Sequence, residues 1–329
     1  MSSTCPALRG VLKGCLLIVA ASVPGLAVAW KPERPVELVA PVQAGGGLDQ
    51  ALRSVEQIWR EQGMVNVPMA VVNKPGGGQS VAANYIHQAK GDAHRVLLMS
   101  STLISNPITG RSKLRYTDFT VLGQLYTEYM AVSVNTASPF RTGKDLVERM
   151  KQAPDSLSVA VGSALGATSH LGIAIALKNA GVDIKRMRSV VFPGAGSITN
   201  VLGGHVDAAT GALTAAAPYW RSGQLRILAV TAPERLGGEF ADIPTWREQG
   251  IEGTVSNWRF LIAPPGLTGE QVAFWNDVMR RTVQSAEWKQ LVDKHKWVNH
   301  YIPSGEAGPY LQKQEQQQRE ILTELGLAK

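Results

Sequence analysis

Residues Pro35–Gly63 read "PVELVAPVQAGGGLDQALRSVEQIWREQG": an apolar run, three consecutive glycines, then an amphipathic run. "PVELVAPV" has the length and β-branched content of a buried strand. In the run that follows, Leu52, Val55, Ile58 and Trp59 recur at helical spacing on one face, and Gly63 marks the stop. Between them, Gly45, Gly46 and Gly47 lack Cβ atoms and leave backbone N–H groups uncovered. Strand, glycine loop and helix in that order is the unit of an α/β protein.

The unit recurs. "VPMAVVN", "KPGGGQ" and "SVAANYIHQA" repeat the order of strand, turn and helix, and "HRVLLMSS" reads as a third strand. After residue 155, "SLSVAVG", "SALGATSH" and "LGIAIALKNAG" form another unit, and "RSVVF", "PGAGS" and "ITNVLGG" a fourth; "VDAATG" and "LRILAVTA" are further short strands. The long β-rich run "DFTVLGQLYTEYMAVSVN" separates the two groups, and "SNWRFLIAPPG" is a second such run before the helix-rich C-terminal sequence. The expected fold is α/β and two-lobed, with two mixed sheets joined by crossing strands. Size alone would also admit a single (β/α)₈ barrel. The division expected is a leader at 1–29, a first lobe at 30–127, a second at 128–257, and a return with C-terminal helices at 258–329.

The leader is read from Arg9 and Lys13, the apolar "CLLIVAASVPGLAVA" and the small-residue end Ala27-Val28-Ala29. Pro24 and Gly25 interrupt a stretch shorter than the roughly 20 apolar residues a membrane span needs. Cleavage before Trp30 and export to the periplasm are expected. The remaining 300 residues contain no cysteine, since Cys5 and Cys15 both lie in the leader. An exported chain of this size must then rest on its core. Without Arg9 and Lys13 the formal charge falls from +7 to +5, which tolerates anionic ligands and selects no partner. No run of like charge suggests nucleic acid.

In open α/β sheets ligands collect beyond the carboxyl ends of the strands. Four loops belong there: Ala44–Asp49, Lys74–Gln79, Ser163–His170 and Pro193–Ser197. Each leads bare N–H groups to a helix start, where the dipole favours an anion. One such loop is equally well explained as a tight turn; four, two per lobe, favour a shared anion cleft. No loop ends in the Gly-Lys-Ser/Thr of a phosphate loop, and "GAGSIT" lacks the third glycine of a dinucleotide fingerprint. Carboxylates fit better. Three N–H bonds at about 1.5–3 kcal/mol each give roughly 5–9 kcal/mol before entropy losses. No arginine clamp is then required.

Candidate ligand contacts are therefore Ala44, Gly45, Gly46, Gly47 and Asp49; Gly76, Gly77 and Gly78; Ser101; Ser163, Thr168, Ser169 and His170; Gly194, Ala195 and Gly196; and Thr210. Asp49 better suits a helix start, ordering the glycine loop through local N–H groups. Of the hydroxyls of Ser163, Thr168 and Ser169, one is expected to cap the following helix and another to meet ligand. His170 better suits core packing or a neutral hydrogen bond. Trp258 and Phe260 read as hinge or core. Arg259 is either a solvated strand residue or the partner of an acid across the lobes. "QKQEQQQ" reads as the exposed side of the last helix. There is no Gly-x-Ser-x-Gly elbow, no cysteine in the mature chain, and no metal spacing among His87, His94, His170, His205, His295 and His300. No catalytic residue and no cofactor are expected. An exported enzyme acting on a carboxylic acid, or a ligand sensor for a membrane kinase, are the competing classes.

"GGGLDQALR", "VVNKPGGGQ", "GSALGATSHL", "LGGHVDAATG", "LAVTAPER" with "DIPTWREQGI", and "NWRFLIAPPG" occur in that order and cover nearly all of the mature chain. In this the chain resembles the substrate-binding proteins of tripartite tricarboxylate transporters, most closely the tricarboxylate-binding branch. The resemblance implies a monomeric periplasmic receptor of two α/β lobes joined by crossing strands. It would close on a small, citrate-like carboxylate and pass it to a membrane permease of one large and one small subunit. It also implies carboxylate binding by Ala44–Asp49 and Pro75–Gln79, largely through main-chain groups and bound waters. Ser163–His170 and Pro193–Ser197 match the loops of the second lobe. Leu48 stands where many relatives of that branch carry tryptophan. "TGAL" (Thr210–Leu213) stands where they carry serine, glycine and tyrosine, and Leu165 is bulkier than usual. A dicarboxylate, or a carboxylate with an apolar body, is therefore open beside citrate.

Overall fold

The computed structural model describes residues 1–2, 30–162, 164–192 and 196–329, so nearly all of the expected leader lies outside the described residues. The opening unit forms as its periodicity predicts: β1 (Val36–Ala40), then α1 (Gly47–Glu61). Leu52, Val55, Ile58 and Trp59 are all buried. A fully buried side chain of this class contributes about 1.5–3 kcal/mol. The first lobe continues with β2 (Met69–Asn73), α2 (Ser80–His87), β3 (Arg95–Met99) and α3 (Thr102–Ile108). β2 and β3 flank β1, both parallel to it.

The long apolar run forms one 16-residue strand, β4 (Thr120–Asn135). The chain continues through α4 (Gly143–Gln152), β5 (Ser158–Gly162), α5 (Thr168–Asn179), β6 (Arg188–Phe192), α6 (Gly196–Leu202), β7 (Ala208–Ala212), α7 (Leu213–Arg221) and β8 (Leu225–Val230). It returns through β9 (Ser256–Ala263), α8 (Gly269–Gln284), α9 (Ala286–His295), β10 (Ile302–Pro303) and α10 (Ser304–Glu324).

The strand order is β2-β1-β3-β9-β4-β7-β5-β6. This is a curled mixed sheet whose two ends are the two lobes. β4 joins them. From Thr120 to Tyr129 it pairs antiparallel with β9, and from Met130 onward it pairs with β7 and β8. The chain crosses back where Val255 donates its N–H to Thr231 O just before β9 begins. Within β4, Gly123 holds φ +139°, and a Cβ there would sit 2.6 Å from Ile302 O, so only glycine lets β10 close on the strand.

Three helices, α3, α4 and α7, have no counterpart in the sequence reading. α3 and α7 are short and contain Pro107 and Pro218. α4 carries a capping box in which Thr142 Oγ1 accepts from Asp145 N–H, a signal present in the sequence. α5 starts at Thr168 rather than at Leu171, because Ala167 is already extended as its N-cap. Thr168, Ser169 and His170 therefore belong to a helical turn, not to a loop. α8 and α9 complete the first lobe: Trp59 and Trp275 lie 5.5 Å apart, and Trp59 Nε1 donates to Thr282 Oγ1 at 2.7 Å. α10 reaches further, packing on α3 and α5. Trp258 and Phe260 are fully buried and pack edge to face, as core residues.

Candidate ligand-binding site

A cavity of about 280 Å³ lies where the two lobes meet. This is near the lower end of small-molecule sites. Its walls are helix starts. The first lobe contributes Leu48 in the first turn of α1, Gln79 just before α2, and Ser100 and Thr102 around the start of α3. The second lobe contributes Ala167, Thr168 and Ser169 around the start of α5, Ser197 and Ile198 from α6, and Ala212 and Ala215 around the start of α7. Glu128 and Met130 of β4 and Asn257 and Arg259 of β9 supply the crossing-strand side.

The caps divide the helices into two groups. Among the described residues no side chain caps α1, α2, α3, α5 or α7. Away from the cavity, α4, α8 and α9 are capped by Thr142, Thr268 and Ser285, while α10 starts uncapped behind Pro303. A helix start that lacks a cap needs other acceptors for its first N–H groups. Several such starts around one cavity make it electropositive without a net charge.

The first glycine loop is built differently from the sequence expectation. Gly45 N–H donates to Asp49 Oδ2 at 2.9 Å and Gly46 N–H donates to Gln43 O at 3.0 Å. Two of the three glycine amides are thus used inside the loop. Asp49 is 1 % exposed and also accepts from Arg53 Nε and Asn73 Nδ2. Burial raises its pKa, but the bonds from Arg53, Gly45 N–H and Asn73 outweigh that effect and hold the carboxyl below its ordinary value. Asp49 orders the loop and does not line the cavity. Ala44, Gly45, Gly46 and Gly47 do not line it either; Leu48 does. In the second loop, Gly76, Gly77 and Gly78 take φ +123°, +56° and +61°. They turn the chain so that Gln79 enters the cavity, where its Oε1 accepts from Ser100 Oγ and Thr102 Oγ1 at 3.0 and 2.8 Å.

In the second lobe, Thr168 and Ser169 do line the cavity. Neither caps α5, whose N-cap is Ala167, and Ser163, the third hydroxyl of the capping expectation, lies outside the described residues. Ser169 Oγ donates to Gly162 O, and Thr168 Oγ1 bonds Ser101 Oγ across the lobes and Asn257 Oδ1 at 3.4 Å. Thr210 is fully buried, its hydroxyl 3.4 Å from Ala131 O, and its neighbour Gly211 faces the cavity instead. Gly196 begins α6 while Ser197 lines the site. Ser163, Gly194 and Ala195 lie outside the described residues.

His170 is 3 % exposed and its Nδ1 accepts from Gly166 N–H at 2.9 Å. Burial pushes it from 6.5 down to about 4, so it is neutral at pH 7. Because the folded state resists a proton that the unfolded chain accepts, stability is full above pH 6.5 and falls as pH drops toward 4. We expect His170→Asn, which keeps an acceptor, to flatten the acid limb of a Tm-against-pH curve by about 3 kcal/mol. An unchanged limb between pH 6.5 and 4 contradicts this assignment.

The sequence reading included Gln79 only as the end of the loop Lys74–Gln79, missed Ser100, Thr102, Glu128 and Asn257, and left Arg259 undecided. Arg259 is 8 % exposed and its Nη2 lies 2.6 Å from Glu128 Oε2. The pair joins β9 to β4 rather than lobe to lobe. One signal was present: Glu128 and Arg259 are isolated charges inside otherwise uncharged strand runs.

Residues 53–327 match the family described as "Tripartite tricarboxylate transporter family receptor". A Cupriavidus necator protein described as "UPF0065 protein in gbd 5'region" is 26% identical over 97% of this chain and 96% of its own. Among solved structures, a TctC solute binding protein from Polaromonas, without ligand, is 26% identical with a TM-score of 0.75, covering 89% of this chain and 99% of that one. An R. palustris protein with adipate shares the fold at a TM-score of 0.76 and 23% identity, covering 90% of this chain and 99% of that one.

Proposed function

Because this chain belongs to the tripartite tricarboxylate transporter receptor family, we propose that it captures one small di- or tricarboxylate in the cavity between its lobes. It then delivers that acid to the permease subunits of a tripartite tricarboxylate transporter. The mature protein starts at Trp30 and works in the periplasm as a monomer. Its first lobe is 30–127 with 258–329, and its second is 128–257. Thr168, Ser169 and the helix starts that carry Leu48, Gln79 and Ser197 close around the ligand. The acid is released unchanged, and no residue acts as a catalyst.

The observation that supports this reading is the meeting of uncapped helix starts at one small cavity. A carboxylate supplies the acceptors those N–H groups lack, each charge-assisted bond contributing about 1.5–3 kcal/mol. The ligand must be small, since the cavity measures about 280 Å³.

The test is a thermal-shift screen of di- and tricarboxylates, followed by denaturation of the loaded protein. At a hundredfold excess over Kd the cognate acid should add about 2.7 kcal/mol of stability, roughly a 5–11 °C rise in Tm. The acid should be recovered unmodified at one per chain. If no acid raises Tm, or if the recovered acid is altered, the reading fails.

A further inference from the structure

The side of the cavity formed by the crossing strands carries one charged oxygen that the capture of a carboxylate leaves unexplained. Arg259 does not offer its guanidinium as a fork. Its Nη1 bonds Asn257 O, Asn257 Oδ1 and Trp258 O at 3.1, 2.6 and 3.1 Å, and its Nη2 bonds Glu128 Oε2 at 2.6 Å. Its Nε is sealed within the protein. Asn257 is equally occupied: Oδ1 accepts from Arg259 and Thr168, and Nδ2 donates to Glu128 Oε2 at 3.1 Å. Both bonds to Glu128 arrive at the same oxygen. Glu128 Oε1 has no hydrogen-bond partner among the described residues and is not among the sealed atoms, and the side chain lines the cavity at 17 % exposure.

An ionised carboxylate oxygen only accepts hydrogen bonds. A ligand carboxylate set against Oε1 has no proton to share, whereas a ligand donor completes the site, and a cationic donor does so with charge. We infer that the ligand is an amino-substituted carboxylate whose protonated amine docks on Glu128 Oε1 while its carboxylate meets the uncapped helix starts. This rests on the carboxylate-capture reading and narrows it. Arg259 and Asn257 act as positioning residues that hold Glu128 with one oxygen turned to the cavity.

The experiment is calorimetric titration at pH 7 with matched acids. Succinate, malate and aspartate carry hydrogen, hydroxyl and ammonium on one four-carbon skeleton, and adipate and 2-aminoadipate extend the comparison. On the skeleton that binds, the amino acid should bind about tenfold or more tighter than its unsubstituted counterpart, with the hydroxy acid between. In Glu128→Gln that preference should shrink to roughly threefold or less. An unsubstituted acid that binds the unmutated protein as tightly as its amino form overturns the inference and leaves carboxylate capture standing. A preference that survives Glu128→Gln assigns the amine elsewhere and also overturns it. Absence of binding by every acid removes both readings. The comparison on the unmutated protein decides the matter even where the variant does not fold.

Discussion

Replacing Arg259 with methionine should lower the melting temperature by roughly 6–12 °C. The side chains of Arg259 and Glu128 are 9 % and 17 % exposed, and removing one member leaves the other charged in a largely dry setting. Breaking such a pair costs about 3 kcal/mol, the lower end of the buried range because Glu128 retains some solvent. For a chain of this size each kcal/mol moves Tm by roughly 2–4 °C. Methionine keeps an unbranched apolar stem, so the loss reports the guanidinium, its hydrogen bonds and its place 6.0 Å from the Tyr126 ring centroid. The double variant Arg259→Met with Glu128→Leu removes both charges and should recover most of the difference. Thermal and urea unfolding of the four proteins measures this. A single-variant loss below about 1 kcal/mol means that water screens the pair, and the ordered acceptor assigned to Glu128 goes with it.

The second large effect concerns ligand alone. Gly211→Leu should weaken carboxylate binding more than about a hundredfold, because its isobutyl group occupies the cavity, while the Tm of the unliganded protein stays within roughly 2 °C. Gly211 lies in β7, opposite Ala131 of β4, and it lines the cavity. Among the described residues a Cβ there meets Ser197 Oγ alone, at 3.6 Å, an ordinary contact. Gly46, the middle of the conspicuous triplet, is a poorer probe, since its Cβ would lie 3.1 Å from both Gln43 O and Val42 Cγ2. Substitution there disturbs the loop as well as any ligand. Thermal shift and calorimetry on Gly211→Leu separate the two effects. Retained affinity would place the ligand outside this cavity.

These two positions also show where the sequence could be read and where it could not. The strand, glycine loop and helix of Pro35–Gly63 are local physics. The spacing of Leu52, Val55, Ile58 and Trp59 needs only 3.6 residues per turn to define a buried face. The same holds for the alternation that announced two α/β lobes, and for the long run that became β4. The misses among elements were also local: α3 and α7 are too short, and too interrupted by proline, to show periodicity. The capping box at Thr142 was legible but passed over.

The site is another matter. A glycine triplet announces bare backbone, yet whether that backbone is open depends on what reaches it. Asp49 and Gln43 O take two of the amides, so the donors left for a ligand lie at the helix starts beyond. Glu128 and Arg259 are separated by 131 positions, and Thr168 meets Ser101 across 67. No periodicity connects such pairs, because the contact exists only once β9 lies beside β4 and the lobes have met. From its sequence alone the chain determined an α/β architecture of two lobes and glycine-rich loops before its helix starts, and with them the expectation of an anion there, since these follow from spacing and from missing Cβ atoms. Only the tertiary structure decided which polar groups are spent on one another and which stay open to the cavity, because hydrogen-bond capacity is settled by neighbours in space.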